Sequence, residues 1–328
     1  MPNTKSSTYT ITVQKMCLLG GLGHIGSGFI RYMETNYSNF EITIVDNFST
    51  GKLNSLFGHS LNLRNIHEMD VRDPKLFHLL KTQDVVVHLA ANNKAYDLVN
   101  QSLLYRHNIE CTKNIVKACQ SCNIPLIFLS STSIYEKSAG TVDESSLVVP
   151  PQNLYALSKL HEEEIVSSYA NGYILRLGTI HGISPGMNFH TTVNKFCWDA
   201  LNKNIINIWK ATADLTSPYL SLNDLIAVLS KMVIEDMDST VKKILNLVSH
   251  NSTPFDIFKK IKQIIPEVEY RFVEGHSLRK HNLIVQSMEK EITNLLNSET
   301  VESDIERTID LLTTGKINWE SFYKISGK

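Results

Sequence analysis

The N-terminal half of the chain alternates short apolar runs with longer segments of helical pattern. Within the runs, apolar and polar residues do not alternate, which is typical of parallel strands that are covered on both faces. Consecutive parallel strands need a crossover, usually right-handed and through a helix, so the pattern predicts an α/β protein with a doubly wound parallel sheet. The predicted strands are Lys15–Leu19, Glu41–Val45, Asn65–Met69, Asp84–Leu89, Pro125–Leu129 and Tyr173–Leu177.

The regular alternation ends after the last predicted strand, at the turn-rich segment Gly182–Gly186. A chain of 328 residues suits one large domain or two coupled ones. We therefore expect residues 1–180 to form the sheet domain and residues 181–328 to form mainly a smaller C-terminal α/β domain, with some segments returning to the sheet. In this second part, Ile244–Val248 predicts a strand and residues 285–313 predict exposed helix.

Composition and charge exclude several classes of partner. The formal net charge is -1, from 32 basic and 33 acidic residues, so no bulk field attracts nucleic acid or a membrane surface. The first residues are polar and lack the apolar core of a signal peptide, and no run of about 18 apolar residues predicts a membrane span. The expected location is therefore cytoplasmic. An odd number of cysteines, five, favours neither a disulfide framework nor a metal site.

A glycine-rich turn follows the first predicted strand directly. Gly20, Gly23 and Gly26 recur at every third position, which suits a tight turn, close approach of the backbone to a pyrophosphate and close packing of the next helix. The helix that begins there would direct its free amide groups at the phosphates. Three glycines alone also fit a flexible loop, but the strand before them and the helix after them favour a dinucleotide site.

Two aspartates end the second and third predicted strands. Asp46 lies 20 residues after Gly26, where a carboxylate can accept hydrogen bonds from the adenosine ribose of a dinucleotide. It would repel a 2′-phosphate, and the next residue, Asn47, is not basic, so NAD is favoured over NADP. Asp70 is placed to meet the adenine edge. Each aspartate could instead cap a turn, which is common at strand ends.

Tyr155 and Lys159 provide a second chemical signal. Residues four apart lie on one face of a helix, so the two side chains point the same way. Oxidation of an alcohol by hydride loss needs a base, and a nearby ammonium is expected to lower the pKa of the phenol toward that role. A further hydroxyl should bind the reacting oxygen, and Ser130–Tyr135, after the fifth predicted strand, offers several candidates. The pair alone would also fit a solvated helix surface.

Together these motifs resemble the extended short-chain dehydrogenase/reductase family, in particular its NAD-dependent sugar epimerase/dehydratase branch. The resemblance covers about residues 15–250. Its motifs, in matching order and spacing, are Gly20–Gly26 (GGLGHIG), Val45–Gly51 (VDNFSTG), Asp84–Ala91 (DVVVHLAA), Ser130–Tyr135 (SSTSIY) and Tyr155–Lys159 (YALSK). Departures from the family pattern are Leu19, Glu136 and Thr179, where Thr, Gly and Asn are usual.

The resemblance implies a Rossmann fold whose first 180 residues bind NAD and whose later residues bind mainly a nucleotide-sugar. Ser131 becomes the catalytic hydroxyl, Tyr155 the base and Lys159 its partner, which also holds the nicotinamide ribose. The other implied cofactor residues are Gly20, Gly23, His24, Ile25, Gly26, Asp46, Asn47, Ser49, Thr50, Gly51, Asp70, Val71, Leu89, Ala90, Ala91 and Asn108. The implied substrate residues are Ser131, Thr132, Thr179, Tyr219 and Arg279, with Arg271 as the alternative arginine for a diphosphate.

The implied activity is reversible oxidation at the sugar C4, through a 4-keto intermediate, in a nucleotide-sugar 4-epimerase. A nucleotide-sugar 4-dehydrogenase or a 4-keto-sugar reductase needs the same three catalytic residues and is the alternative. Dehydratases and decarboxylases of the family carry an acid just before the Ile-Tyr pair, where this chain has Thr132 and Ser133, so those activities are disfavoured. A protein that only senses NAD is disfavoured by the intact catalytic residues.

The resemblance also implies a setting for the enzyme. A homodimer built on a four-helix bundle is common in the family, and here it would use about residues 98–120 and 155–170. Synthesis of surface-polysaccharide precursors is the implied pathway.

Overall fold

The computed structural model describes residues 14–57, 65–92, 101–138, 140–234, 243–275, 280–296 and 300–316. Its strands are β1 (Gln14–Leu19), β2 (Phe40–Asp46), β3 (Ile66–Glu68), β4 (Val85–His88), β5 (Leu126–Ser131), β6 (Gly140–Val142), β7 (Gly172–Leu177), β8 (Thr179–His181), β9 (Ile205–Trp209), β10 (Ser217–Ser221), β11 (Ile244–Leu247), β12 (His250–Ser252), β13 (Glu269–Val273) and β14 (Leu283–Val285). Its helices are α1 (His24–Asn36), α2 (Leu76–Leu80), α3 (Gln101–Cys122), α4 (Leu154–Ser167), α5 (Thr192–Lys203), α6 (Leu222–Ile234), α7 (Pro254–Ile264), α8 (Lys290–Leu295) and α9 (Val301–Thr314). None of the described helices is long and apolar enough to cross a membrane.

A seven-stranded sheet lies at the centre, in the order β3-β2-β1-β4-β5-β7-β11, and every strand pair in it is parallel. All the strands predicted from the N-terminal half are present in it. The chain adds strands outward from β1 in one direction and from β4 in the other, so the strand order reverses between β1 and β4. This confirms the doubly wound Rossmann fold, in which ligands bind at the carboxyl edge of that reversal.

Apolar side chains cover both faces of this sheet, as the predicted strand pattern requires. On one face α1 and α6 contribute Phe29 and Leu229, which pack with Leu18 of β1. On the other face α3 and α4 contribute Ile115 and Val166. Each of these side chains is fully buried. Because both faces are packed, the loops at the carboxyl edge of the sheet are left to carry the site.

The C-terminal part both extends the sheet and builds a smaller α/β unit. β11 pairs with β7 at the sheet edge and α6 packs on one sheet face. The remaining strands form a three-stranded sheet, β12-β10-β8, and the pairs β13-β9 and β14-β6. The helices α5, α7 and α9 enclose a separate core around Val193, Ile257 and Ile305. A division into two domains at residue 180 stays a prediction.

The prediction of exposed helix for residues 285–313 is wrong in two respects. Val285 ends β14, and α8 and α9 follow as separate helices. α9 buries Val301 and Ile305 in the C-terminal core, and its Asp304 carboxylate lies 2.8 Å from the Nδ1 of a buried histidine on β8, without hydrogen-bond alignment. Apolar residues four apart mark the buried stripe of a packed helix, which the segment's polar composition conceals.

Candidate active site

The glycine turn lies between β1 and α1, beside the loop that follows β4. Gly20 has a φ of +81°, and a Cβ there would lie 2.6 Å from Ala90 Cα, so both conformation and packing require glycine. A Cβ on Gly26 would lie 2.3 Å from Gly21 O, because α1 packs closely on the turn. A Cβ on Gly23 would meet only Gly20 O, at 3.7 Å. The turn therefore leaves space at the N-terminus of α1, where free backbone amides can bind a phosphate.

Asp46 ends β2 and connects this turn to the next loop. Its carboxylate accepts hydrogen bonds from Leu22 N at 3.2 Å and from Phe48 N at 2.9 Å. The bond from Phe48 is the turn-capping role that the sequence left open, and the bond from Leu22 fixes the carboxylate beside the glycine turn. The exposed residues of the following loop are Asn47, Ser49, Thr50 and Gly51.

Asp70 follows β3 and is engaged by Arg72. The guanidinium donates to both carboxylate oxygens, at 3.0 and 2.8 Å, and this holds the pKa of Asp70 below its usual range. Val71 is buried, and its carbonyl accepts a hydrogen bond from Asn114 Nδ2 of α3 at 2.7 Å. The loop is thus fixed against α3, and contacts of Asp70 and Val71 with adenine stay a prediction.

Asn108 of α3 holds the loop after β4. Its Oδ1 accepts from Asn92 N at 2.9 Å, and its Nδ2 donates to Asn92 O at 3.1 Å and to Ser158 Oγ at 3.3 Å. The predicted cofactor-lining residues of this loop are Leu89 and Ala90, which are half-buried, and Ala91, which is exposed. Asn108 therefore stands behind them and fixes their backbone relative to α4.

His24 and Ile25 begin α1, and His24 faces the C-terminal part of the chain. His24 Nε2 lies 3.0 Å from Gly182 O, and burial lowers the pKa of the imidazole to about 4. The ring is therefore neutral near pH 7 and offers no positive charge to a phosphate, so a cofactor contact here is left to the backbone amide. Gly186 N donates to Ser27 Oγ at 2.8 Å. The segment after β8 is thus fastened over the first turn of α1.

Ser131, Tyr155 and Lys159 come together at the carboxyl end of β5. Ser131 Oγ accepts a hydrogen bond from Ser133 N at 3.1 Å and is near enough to the Tyr155 hydroxyl to lower the pKa of that phenol. α4 begins beside it, because Asn153 Oδ1 accepts from Tyr155 N at 2.8 Å and caps the helix. Lys159 follows Tyr155 after one helical turn. The structure therefore places the predicted catalytic residues in one site, at the same edge of the sheet as the glycine turn.

Opposing effects act on the phenol of Tyr155. Burial raises its pKa, and this outweighs the lowering by the Lys159 ammonium and by the nearby Ser131 hydroxyl. The carboxylate of Glu162 acts in the same direction as burial. The predicted influence of Lys159 is present, but the net direction is upward, so the phenol is protonated near neutral pH in the protein without ligands.

Lys159 is itself buried and held from several sides. Its Nζ donates to Leu129 O at 3.2 Å, lies 3.4 Å from Glu162 Oε2 and stands 4.6 Å from the centroid of the Phe128 ring. Among the described residues, these oxygens engage two of its three N–H donors, which leaves one for the predicted contact with a ribose. Sequence reasoning missed Glu162, although an acid three residues after Lys159 was a visible signal.

A second buried ion pair lies under the catalytic residues. Glu163 of α4 accepts hydrogen bonds from Arg176 Nη2 of β7 at 2.7 Å and from Ser130 Oγ of β5 at 2.5 Å. Arg176 Nη1 also donates to the Tyr135 hydroxyl at 2.6 Å. This network joins α4 to β5 and β7. Breaking the ion pair of Glu163 and Arg176 would be costly, since loss of one charge leaves the other buried and unpaired.

Three of the predicted substrate residues other than Ser131 are buried or half-buried. Thr132 is buried, and its hydroxyl donates to a backbone carbonyl of β7 at 3.1 Å. Tyr219 is 1% exposed and stacks on His250, with ring centroids 5.4 Å apart. Thr179 is half-buried on β8. Of the two arginines, Arg279 lies outside the described residues and Arg271 is exposed on β13. Substrate contacts by these residues stay predictions.

The model of the NAD-dependent epimerase/dehydratase family matches residues 16–247, which is well over half of the chain. The chain belongs to this family. Membership confirms the resemblance seen in the motifs: the protein is an enzyme of the extended short-chain dehydrogenase type, and NAD is its cofactor.

Relatives of this epimerase/dehydratase span several activities. UDP-glucose 4-epimerase of Mycoplasma pneumoniae is 28% identical over 163 residues, 48% of this chain and 48% of its own length. This chain therefore spans about half the length of that enzyme. ADP-L-glycero-D-manno-heptose-6-epimerase of Brachyspira hyodysenteriae is 22% identical and aligns over 77% of this chain and 82% of its own. A dTDP-D-glucose 4,6-dehydratase and a decarboxylase also match.

A solved epimerase shows the same fold. The structure of UDP-glucuronic acid 4-epimerase from Bacillus cereus, in complex with UDP-glucuronic acid and NAD, has a TM-score of 0.77 and 21% identity, covering 92% of this chain and 100% of that one. The residues of this epimerase/dehydratase fit NAD on their own geometry. Gly23 leaves space for a pyrophosphate, Asp46 is fixed beside the turn, and Lys159 keeps an N–H donor.

Proposed function

We propose that the protein is an NAD-dependent nucleotide-sugar 4-epimerase, which oxidises the sugar at C4 to a 4-keto intermediate and then reduces it. The assembly of Ser131, Tyr155 and Lys159 at the end of β5 carries this proposal, since alcohol oxidation by hydride loss requires such groups. The lack of an acid at Thr132 and Ser133 weighs against elimination. The 4-epimerases among the relatives support the same choice.

In this mechanism Tyr155 moves a proton and Ser131 orients the oxygen that carries it. The Ser131 hydroxyl would bind the C4 oxygen, and the Tyr155 oxygen would take its proton. The chemistry that NAD supplies when bound is acceptance and return of the hydride. Lys159 stabilises the phenolate and holds the cofactor ribose with its remaining donor. Residues 181–328, which mainly form the sugar pocket, must leave the keto sugar free to turn over between the two hydride transfers.

A one-way enzyme, a 4-dehydrogenase or a 4-keto-sugar reductase, is the second candidate function. It would use the same three residues but hold the sugar in one orientation. The raised pKa of Tyr155 favours the reductase of these two, because a protonated phenol can give its proton to a keto oxygen.

Incubation of the purified protein with UDP-, GDP-, CDP- and dTDP-linked sugars, without added cofactor, tests the proposal. The absorbance of reduced nicotinamide and the identity of the sugar are followed in the same sample. An epimerase gives a new sugar isomer and no lasting rise in absorbance. A lasting rise near one reduced nicotinamide per subunit, without an isomer, would contradict epimerisation and indicate a dehydrogenase. Turnover only of a 4-keto sugar with added NADH would indicate the reductase.

The family pattern supports three further proposals, which concern the oligomeric state, the location and the pathway of the enzyme. A homodimer would form through α3 and α4, and Leu103 on α3 is 65% exposed, as an interface residue in a free subunit would be. The enzyme would act in the cytoplasm on precursors of surface polysaccharides. Sedimentation of the purified protein measures the first of these directly.

A further inference from the structure

Glu162 is a fully buried carboxylate on the same face of α4 as the catalytic pair. Tyr155, Lys159 and Glu162 follow one another at spacings of four and three residues, the repeat that keeps side chains on one helical face. Glu162 is 0% exposed. Its Oε2 lies 3.4 Å from Lys159 Nζ and accepts from Thr112 Oγ1 at 2.8 Å, and its Oε1 accepts from Ser158 Oγ at 3.3 Å. Oε2 thus meets two donors, whereas Oε1 competes for the single Ser158 proton with Tyr155 O, which lies 2.8 Å from the serine oxygen.

The other titratable groups that face Glu162 are neutral. His88 of β4 reaches it through Thr112, at 3.2 Å from the threonine oxygen, and burial lowers the pKa of this imidazole to about 3. Burial raises the pKa of the Cys111 thiol on α3 to about 12. Neither group carries charge near pH 7. Among the described residues, Lys159 is therefore the cation that Glu162 meets.

The ion pair changes what Lys159 can do for Tyr155. An ammonium alone favours a phenolate beside it, whereas an ammonium paired with a carboxylate presents little net charge. The two charges act on the phenol with opposite signs, since Lys159 lowers the pKa of Tyr155 and Glu162 raises it. The same carboxylate also fixes where the ammonium lies, together with the carbonyl of Leu129.

We propose that Glu162 is a positioning residue, which holds the Lys159 ammonium in place and offsets its charge beside Tyr155. This assignment rests on the proposed function, in which Tyr155 exchanges a proton with the C4 oxygen. In the reductive step the keto carbon gains a hydride from the reduced nicotinamide and the keto oxygen gains the Tyr155 proton, which leaves the phenolate. The oxidative step runs the same transfers backwards from the phenolate. Glu162 therefore opposes formation of the phenolate from which the oxidative step starts.

Glu162→Gln tests this role, because the amide keeps the shape and an acceptor but removes the charge. The absorbance of tyrosinate in the NAD-loaded protein, taken as the difference from Tyr155→Phe in the same background, reports the titration of Tyr155 alone. We expect its midpoint to fall by about one pH unit in Glu162→Gln. The matched control is Glu164→Gln, an exposed acid on the same helix, which should leave the midpoint in place. An unchanged midpoint in Glu162→Gln would overturn the assignment.

The titration needs no nucleotide-sugar, which separates this assignment from the proposed function. A shift in a protein that turns over no sugar would support the role of Glu162 and contradict the proposed function. Turnover without a shift would do the reverse. With a substrate in hand, the pH profile of oxidation in Glu162→Gln should move down by the same amount. If Glu162→Gln does not fold, Glu162→Met removes the charge with an apolar side chain of similar length. The midpoint of the Tyr155 titration is then measured in Glu162→Met instead.

Discussion

The hydroxyl of Tyr155 lies where burial, a cation and a carboxylate act on one proton. Burial and Glu162 keep the proton on the phenol, while Lys159 and the nearby Ser131 hydroxyl favour its loss. A bound oxidised nicotinamide carries positive charge and would add to the second group. Without the cofactor the first group of effects outweighs the second, and bound oxidised nicotinamide would shift the balance toward loss of the proton.

Replacing Tyr155 with Phe removes the proton acceptor but keeps the ring. We expect kcat to fall by about 10²–10⁴-fold, the usual contribution of a positioned acid–base group, while bound NAD is unchanged. Product formation and the NAD released on denaturation measure the two quantities. Tyr270→Phe, the same change at an exposed position on β13, is the control and should alter neither. Turnover retained in Tyr155→Phe would mean that another group takes the proton.

Asp46→Asn should weaken the discrimination against NADP. The carboxylate repels a 2′-phosphate and the amide does not. Leu22 N and Phe48 N donate to different oxygens of Asp46, so Asn keeps an acceptor for one of them and loses the other bond. We expect the ratio of NADP affinity to NAD affinity to rise about tenfold in binding titrations, equivalent to ~1.4 kcal/mol. Asp214→Asn, at an exposed position, is the control. An unchanged ratio would mean that Asp46 caps the turn and does not select between NAD and NADP.

At the scale of elements, the glycine turn and α1 form one unit, in which Gly26 is required for close packing and Gly23 for the space proposed for the cofactor. A Cβ on Gly26 would lie 2.3 Å from Gly21 O, so Gly26→Ala should lower the free energy of unfolding by about 1–3 kcal/mol. Gly23 has an ordinary φ of -71° and room for a methyl group, so Gly23→Ala should change it by less than about 0.5 kcal/mol.

The NAD affinities of the same two variants should differ in the opposite way from their stabilities. The methyl group of Gly23→Ala would fill the space proposed for the pyrophosphate, so NAD affinity should fall about tenfold or more although the protein is stable. Urea unfolding without NAD gives the stability of each variant, and fluorescence titration gives its affinity. Normal NAD affinity in Gly23→Ala would contradict the placement of the pyrophosphate at this turn.

α9 belongs to the C-terminal core, and the sequence prediction missed this because it followed composition rather than periodicity. Val301 and Ile305 are four residues apart, and both are buried against α5 and α7. We expect Ile305→Ala to lower the free energy of unfolding by about 2–5 kcal/mol in urea. Glu306→Ala, at the next and exposed position, should change it by less than about 0.5 kcal/mol. Equal small effects would mean that α9 is not packed.

Across the whole molecule, the sheet and the catalytic residues were predictable because each depends on a signal within one short segment. Tyr155 and Lys159 share one helix, and Ser131 ends one strand. The small sheet of the C-terminal part was not predictable from the sequence. Its strands β8 and β12 have three residues each, and both pair with β10, which lies far from them along the chain. Likewise, Lys52 Nζ donates to Gly186 O across 134 residues, and no local pattern indicates such a contact.

Buried neutral histidines predict how the stability of the whole molecule responds to acid. Burial lowers the pKa of His24 to about 4 and that of His88 to about 3, from an ordinary value near 6.5. Below about pH 6.5 the unfolded chain protonates these imidazoles and the folded chain does not, so the unfolded state binds more protons. The stabilisation is therefore complete above about pH 6.5 and declines as the pH falls toward 4.

We expect the free energy of unfolding in urea to fall between about pH 7 and about pH 5, by about 2 kcal/mol for each of the two histidines. This window lies above the range in which a carboxyl group with a lowered pKa, such as Asp70, takes up its proton. His88→Asn should remove its share of the slope. A flat dependence in the parent protein would mean that the buried rings are protonated or open to water, and the interior described for β4 and α1 would then be incorrect.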